Sequence, residues 1–172
     1  FEDREKILDL LQPISGSRLT YSFFRPGGVA SDVTGSFLKD TLAFVKYMRG
    51  RLPMYRDLVT GNIIFRKRCE GVGVLSLEMC QRYGATGPVI RGSNRSYDIR
   101  KAEPYSIYDR FDYDIPVDEK GDAMGRYRVR MAELAESLNI IEQAVNQIPE
   151  GEHIIKKAPK PRWKPPKGEV YF

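Results

Sequence analysis

Hydrophobic and polar positions recur along this chain mainly at helical spacing. The longest regular run covers residues 122–148, where Met124, Tyr127, Met131, Leu134, Leu138, Ile141, Val145 and Ile148 are separated alternately by three and four positions. All eight therefore fall on one stripe of a long helix. Asp122 is placed to cap its start, and Pro149 with Gly151 closes it. In "EDREKILDLLQ" the residues Ile7, Leu8, Leu10 and Leu11 predict a helix over 2–12, ended by Pro13 and Gly16. Apolar residues at 37, 38, 42, 44, 45 and 48 predict another from about Gly35 to Arg49, and Pro53 either kinks it or opens a further helix in "PMYRDLVTGN".

Shorter signals fill the middle. "NIIFRKRCEGVG" reads as a short helix closed by Gly71, and "SLEMCQRYG" as one more, with Ser76 as cap and Gly84 just past its end. "RLTYSFFRPGGVASD" is a connector with buried rings, broken at Pro26-Gly27-Gly28. "YDIRKAEPYSIYDRFDYDIP" interleaves tyrosines with charges and predicts an irregular segment or short strand whose aromatics wedge between helices. "PPKGEVYF" alternates into a β-strand whose partner lies beyond Phe172.

Length bounds the picture at one domain with a real core, since 172 residues are too few for two comfortable ones. The start at Phe1, running straight into an amphipathic pattern, suggests a piece of a longer chain. Residues 1–151 read as a central helical part and 152–172 as a Pro/Lys-rich connector leading into a strand. A net charge of +5 suits nucleic acid, anionic lipid or an acidic protein partner, but much of it sits in that connector. A solvated linker, or an arm lying on a neighbouring protein, accounts for it more simply than nucleic acid. Arg126, Arg128 and Arg130 crowd the first half of the long helix, against the macrodipole preference; they form a solvated face or meet an acidic partner. Cys69, Cys80 and the single His153 fall short of the four ligands of a structural zinc site, so buried free thiols are expected and no metal. No apolar run approaches the roughly 20 residues that span a bilayer.

The stretch "GATGPVIRGS" at 84–93 lacks both the GxxxxGK[ST] and the GxGxxG pattern, and Pro88 removes an amide that a phosphate would use. Alone it places a permanent cation, Arg91, beside a cofactor or a buried carboxylate. With its neighbours it becomes specific. "GATGPVIRGS…YDIRKAEPYSIYD" and "GDAMGRYRVRMAELAESLNIIEQAVNQIPEGE", with "FEDREKILDLL…SGSRL…FFRPGGVASD" before them, resemble the D (49-kDa) subunit family of respiratory complex I, through nearly all of residues 1–151 and again in "PPKGEVY". That family is related to the large subunit of [NiFe] hydrogenases.

The resemblance implies a mainly α, multi-helical fold of the [NiFe]-hydrogenase large-subunit type, present as a fragment, with a few short β-strands at the C-terminal end. It implies NADH:quinone oxidoreductase chemistry in a complex: the protein helps to form the quinone-reduction site beside a neighbour that carries a [4Fe–4S] cluster, and electron transfer is coupled to proton translocation. The fragment alone would bind no cofactor, contain no catalytic residue and be inactive. Arg25, Gly27 and Gly28 match an "RxGG" segment near the cluster, and Arg91 lies near the cluster or the quinone. Gly87, Pro88 and Gly92 of the loop, Asp98, Arg100 and Lys101 of "DxRK", and Asp122, Arg126 and Arg130 of the helix start are implied to be supporting groups that arrange ion pairs and turns. Implied partners are the cluster-bearing protein, a protein like the C subunit of the complex, and the membrane-arm protein of the quinone site. The implied place is the cytoplasmic face of the membrane, peripheral to it; the isolated piece would self-associate, and nucleic acid is no partner. Thr20 stands where many members have histidine, Gly125 where aspartate is frequent, and Asn94 where glycine is common. The family's quinone-headgroup tyrosine and histidine lie before Phe1. An energy-converting [NiFe] hydrogenase large subunit is the alternative, and a basic non-enzymatic binding module a second.

Overall fold

The computed structural model describes residues 1–159 and 163–169. They form two compact units, one built from residues 1–41 and 149 onward, the other from Leu42–Ile148.

In the first unit, helix α1 (Glu2–Ser15) opens with Glu2, Asp3 and Glu5, which suit the positive end of the helix dipole. It does not stop at Pro13. A proline forfeits only one intrahelical bond, and here the last turn continues to Gly16, which takes the left-handed conformation (φ 74°) and donates its N–H to the Gln12 carbonyl at 2.8 Å. Arg18 then folds back on Glu5 and Asp9, each at 2.7 Å. Strands β1 (Phe24–Arg25) and β2 (Gly28–Val29) make a minimal antiparallel hairpin, and Ile154 adds a single bridge to Gly28. The strands among the described residues thus lie near the N-terminus; 163–169 carry none, and the end of the expected "PPKGEVYF" strand, 170–172, falls outside the described residues. The connector's rings are not all buried, for Phe24 stands 87% exposed.

Helix α2 (Gly35–Tyr55) runs through Pro53 and then widens into a π-helical turn, Arg56–Thr60, closed by Gly61 N–H on the Arg56 carbonyl. Pro53 neither ends the helix nor opens a new one; the wider turn follows directly behind it. Thr41, Val45, Met48 and Leu52 are its buried positions, spaced four, three and four apart.

In the second unit, Val45, Met48 and Leu52 pack against Leu138 of helix α7 (Ala123–Gln147), with Phe44, Tyr47, Tyr55, Ala135 and Ile141 around them. The buried four, Val45, Met48, Leu52 and Leu138, each contribute roughly 1.5–3 kcal/mol of burial. The eight-residue stripe of α7 is only partly a core face. Met124 and Leu138 are buried, whereas Leu134 and Ile148 are 40% and 43% exposed, and Val129, off the stripe, is 1% exposed. Between the two long helices come α3 (Ile63–Cys69), capped by Asn62 Oδ1, and α4 (Leu77–Arg82), capped by Ser76 Oγ as the sequence suggests. Phe65 meets Tyr127 edge to face at 4.9 Å and ties α3 to α7. The Gly/Pro loop contains a helical turn, α5 (Pro88–Arg91). The tyrosine-rich segment forms another, α6 (Ile99–Ala102), and a 3-10 turn at Tyr108–Arg110 rather than a strand. Of its rings only Tyr113 is fully buried; Tyr97 and Tyr105 are exposed.

Candidate functional site

The start of α7 is a dense backbone junction. Asp122, 2% exposed, accepts the Gly125 N–H at 2.6 Å as helix cap and the Gly71 N–H at 2.8 Å from the loop after α3. Gly121 donates to the Gly92 carbonyl at 2.7 Å and accepts from Leu75 N–H at 2.9 Å, while Asp118 N–H reaches the Arg91 carbonyl at 2.9 Å. Three segments distant in sequence are thereby locked to one helix end. Arg126 serves the same junction, donating to the Gly73 and Gly121 carbonyls, and Gly92 leaves room for it, since an added Cβ would lie 2.8 Å from Arg126 Cγ. Arg128 pairs with Asp118 at 2.8 Å. Arg130 is exposed and, among the described residues, donates only to the Arg126 carbonyl. The basic cluster is therefore mostly a set of internal staples.

Two residues that the resemblance sets apart, Asn94 and Gly125, suit their local surroundings. Asn94 sits at φ 63°, in the left-handed region that glycine adopts freely and asparagine better than most side chains. Gly125 leaves open the space that Asp118 fills: a Cβ there would come within 2.6 Å of the Asp118 carboxylate.

Above this junction Arg91 is 7% exposed. Its Nε and Nη2 both donate to Glu133 Oε1, at 2.6 and 2.5 Å, and Nη1 donates to the Tyr97 carbonyl at 2.8 Å. Pro88 starts the short helix that carries Arg91, and Gly87 precedes it at φ 61°. Seven positions on, Asp98 caps α6 and grips Arg100 with both oxygens (2.6–3.2 Å). That hydrogen bonding holds the Asp98 carboxyl below its usual range against the opposing effect of burial, and it pushes Arg100 upward. Gly87, Arg91, Asp98 and Arg100 line a cavity of about 420 Å³ with Thr86, Tyr97, Ile99 and Tyr105. Behind it, the Arg100 guanidinium and the Lys101 ammonium stack on Tyr113, 5.1 and 4.6 Å from the ring centre, and Lys101 also donates to the Tyr113 carbonyl. Tyr113 is 3% exposed, its hydroxyl has no hydrogen-bond partner among the described residues, and burial raises its pKa.

Arg25, Gly27 and Gly28 belong to the first unit and line none of this cavity. The chain returns across Gly27-Gly28 in residues 153–155: Val29 N–H donates to the His153 carbonyl at 3.0 Å and Ile155 N–H to the Gly27 carbonyl at 2.9 Å. A Cβ on Gly28 would strike the His153 carbonyl, and one on Gly27 would lie 2.7 Å from Ile155. This crossing accounts for both glycines. Arg25 is exposed and donates to Ser22 Oγ at 2.9 Å.

The structure thus groups Gly87, Arg91, Asp98 and Arg100 at one cavity, with Lys101 behind it, and Gly92, Asp122 and Arg126 at the junction beneath. Glu133, Tyr97, Tyr113, Asp118 and Arg128 complete these groups, and of them only Arg128 was singled out from the sequence, as one of the three arginines of α7. Among the others only Glu133 carried a signal, as the first acid after those arginines.

Acid should loosen this junction first. Hydrogen bonding from Arg128 holds Asp118 below the usual carboxylate range; at Asp122 burial opposes ionisation, but the Gly71 and Gly125 amides outweigh it and the shift is downward. A carboxylate with a depressed folded pKa contributes stability that is full above its unfolded value, about 3.9 for Asp, and is lost as pH falls through the folded value. Hydrogen exchange at 71–75 and 118–128, corrected for its intrinsic rate, is expected to accelerate below about pH 4. In an Asp122→Asn variant the acid-dependent part should shrink, and an unchanged acid response would contradict the assignment.

The family model of the respiratory-chain NADH dehydrogenase 49 Kd subunit matches residues 1–171. Among curated proteins, the chain is 55% identical over 160 residues to the second NADH-quinone oxidoreductase D subunit of Opitutus terrae, covering 93% of this chain and 40% of that protein. It is 53% identical over 171 residues to the NADH-quinone oxidoreductase D subunit of Desulfotalea psychrophila and 51% identical over 172 residues to that of Syntrophobacter fumaroxidans, in each case covering 99–100% of this chain and 46% of the relative. The chain therefore spans less than half the length of these relatives.

Proposed function

The chain belongs to the family of the 49 Kd subunit of respiratory-chain NADH dehydrogenase, and from that premise we propose that it is the central part of a protein that helps to form a quinone-reduction site beside a [4Fe–4S]-bearing neighbour. In this reading electrons pass from the neighbour's cluster to a quinone at the interface, and the transfer is coupled to proton translocation. The other partners are a protein like the C subunit of the complex and the membrane-arm protein of the quinone site, and the assembly lies against the cytoplasmic face of the membrane. The match along residues 1–171 carries the proposal. No helix among the described residues is long and apolar enough to cross a membrane, which is compatible with a peripheral place.

The residues at hand do not fit a cluster of this chain's own. A [4Fe–4S] cluster takes four thiolates; of Cys69 and Cys80, the latter is 1% exposed and its thiol donates to Ser93 Oγ. They do fit a flat carbonyl acceptor. A guanidinium has five N–H groups, and the contacts to Glu133, Tyr97 and Asp98 leave some on both Arg91 and Arg100, in a cavity with two tyrosines. A bound quinone supplies the electron-accepting ring. This chain's residues would orient its carbonyl oxygen through those donors, which the ion pairs hold in fixed rotamers.

The test uses the complex purified through a tag on the full-length chain. Co-purification of an iron–sulfur protein, quinone reductase activity and absence of nickel are expected; about one nickel per chain would instead place it on the hydrogenase branch. Within that complex, Arg91→Lys keeps the charge but loses the fork. Loss of one charged hydrogen bond, about 1.5–3 kcal/mol, predicts an activity drop of about tenfold or more at normal assembly. Unchanged activity would leave Arg91 a purely architectural residue.

A further inference from the structure

The first unit holds a cavity of about 530 Å³ that the reading above leaves unused, lined by Arg25, Pro26, Val29, Ala30, His153, Ile154, Ala158, Pro159 and Trp163. It brings together the chain's single histidine, its single tryptophan and Arg25. No carboxylate lines it, and among the described residues none lies within ion-pair distance of Arg25, whose one hydrogen-bond partner is the Ser22 hydroxyl. By contrast Arg91 and Arg100, the two arginines that line the cavity of the second unit, each hold an acid.

The cavity wall is built rather than incidental. The His153–Ile155 crossing is bonded to both sides of the Gly27-Gly28 turn, and Ser22, which receives Arg25, is held at φ 42°, a conformation that a serine rarely adopts. Lys156 and Lys157 follow directly in sequence, and the nearest acid in that segment is Glu152. A guanidinium fork with most of its donors unused, beside an imidazole and an indole ring around one concavity, recognises an anion with planar, paired oxygens. The exposed Phe24 (87%) and Ile155 (58%) of the same unit, with the half-exposed Trp163, add apolar contact area of the kind that protein interfaces use.

We propose that this cavity is a docking site for a carboxylate side chain of a neighbouring protein of the complex, an aspartate or glutamate received by Arg25 in the cavity that Trp163 helps to line. Charge complementarity selects the class of occupant, and the inference rests on the reading that the chain works within a multi-protein assembly. The acid neutralises the one lining arginine that the described residues leave without an ion pair.

Zero-length carbodiimide coupling in the purified complex tests it. His153→Lys places an amine in the cavity; the reagent activates a neighbouring carboxylate, the amine displaces the activated oxygen, and one amide forms with net loss of water to the reagent. A cross-link from position 153 to an Asp or Glu of a neighbouring protein is expected, and it should vanish when Arg25→Gln is added. Arg25→Glu should weaken retention of that neighbour on the order of 30-fold or more, and replacing the identified acid by lysine should restore it. If other proteins of the complex co-purify but position 153 couples to nothing outside its own chain, the docking site is overturned while the family-level reading stands. If an anionic lipid co-purifies and is lost in Arg25→Gln with no protein cross-link, the site belongs to a lipid and the proposal falls. If the full-length chain purifies alone, the proposed function fails together with it.

Discussion

Glu133→Ala is expected to lower the local stability of residues 85–135 by about 3 kcal/mol or more, because it strands the Arg91 cation. The Arg91 side chain is 9% exposed and that of Glu133 21% exposed, so the pair is largely out of water, and two of the three donating nitrogens of Arg91 converge on one Glu133 oxygen. Removing a partner from such a pair costs far more than the pair itself contributes, since the remaining charge has lost its hydration without compensation. The companion variants separate the two effects. Glu133→Gln keeps an acceptor for the guanidinium and should recover part of the loss, and Arg91→Met combined with Glu133→Leu, which removes both charges, should recover most of it. Native-state hydrogen exchange in the purified complex reads this directly, since the slow amides of α5 and of the first turns of α7 report the opening free energy of the junction. A change below about 1 kcal/mol for Glu133→Ala would mean that water reaches Arg91 more freely than its burial implies.

Gly121→Ala should be comparably damaging, at about 2–5 kcal/mol, for steric rather than electrostatic reasons. Gly121 lies at φ 64°, and a methyl group there would run into the Leu75 carbonyl, with Ser93 Oγ close behind at 3.4 Å. Relief by moving the backbone would sacrifice the bonds from Gly121 N–H to Gly92 and from Leu75 N–H to Gly121. Gly84 is the control: its φ is 62°, but nothing lies within 4 Å of its missing Cβ. Gly84→Ala therefore carries only the left-handed conformational cost, about 1–2 kcal/mol. Exchange rates at 72–75 and 118–125 should rise far more in the first variant than in the second. Equal effects would show that conformation alone, not the close approach, decides the matter.

The long elements were legible because apolar residues recur in them at helical period, even where, as at Leu134 and Ile148, the stripe is not buried. The Met124–Leu138 spacing, the Asp122 and Ser76 caps and the acids of α1 each act within a few residues, so the sequence displays them directly. Pro13 misled because the last turn of α1 runs past it to the left-handed Gly16, while at Pro53 α2 continues into a wider turn instead of opening a separate helix. The tyrosine-rich segment is irregular apart from two short turns, as one of the two expected forms had it, but its rings serve cations in a way the sequence did not display: Tyr113 is stacked by Arg100 and Lys101. The candidate site was half visible. Arg91, Asp98 and Arg100 stand in one short stretch, whereas Glu133, which fixes Arg91, lies on another helix, and no spacing rule connects positions so far apart. Gly27 and Gly28 show the same limit. Their need for a bare backbone comes from residues 153–155, which only the fold brings to them.

That crossing also bears on the order in which the polypeptide assembles during synthesis. The second unit is continuous in sequence, so its helices can dock as soon as they leave the ribosome. The hairpin around Gly28, by contrast, must wait with its edge unsatisfied until Ile154 and Ile155 arrive. Closing that long loop is entropically easier once the intervening chain is already compact. The Gly27-Gly28 crossing is thus the latch that closes last, and truncation upstream of residue 153 should leave a native-like second unit attached to an open first one.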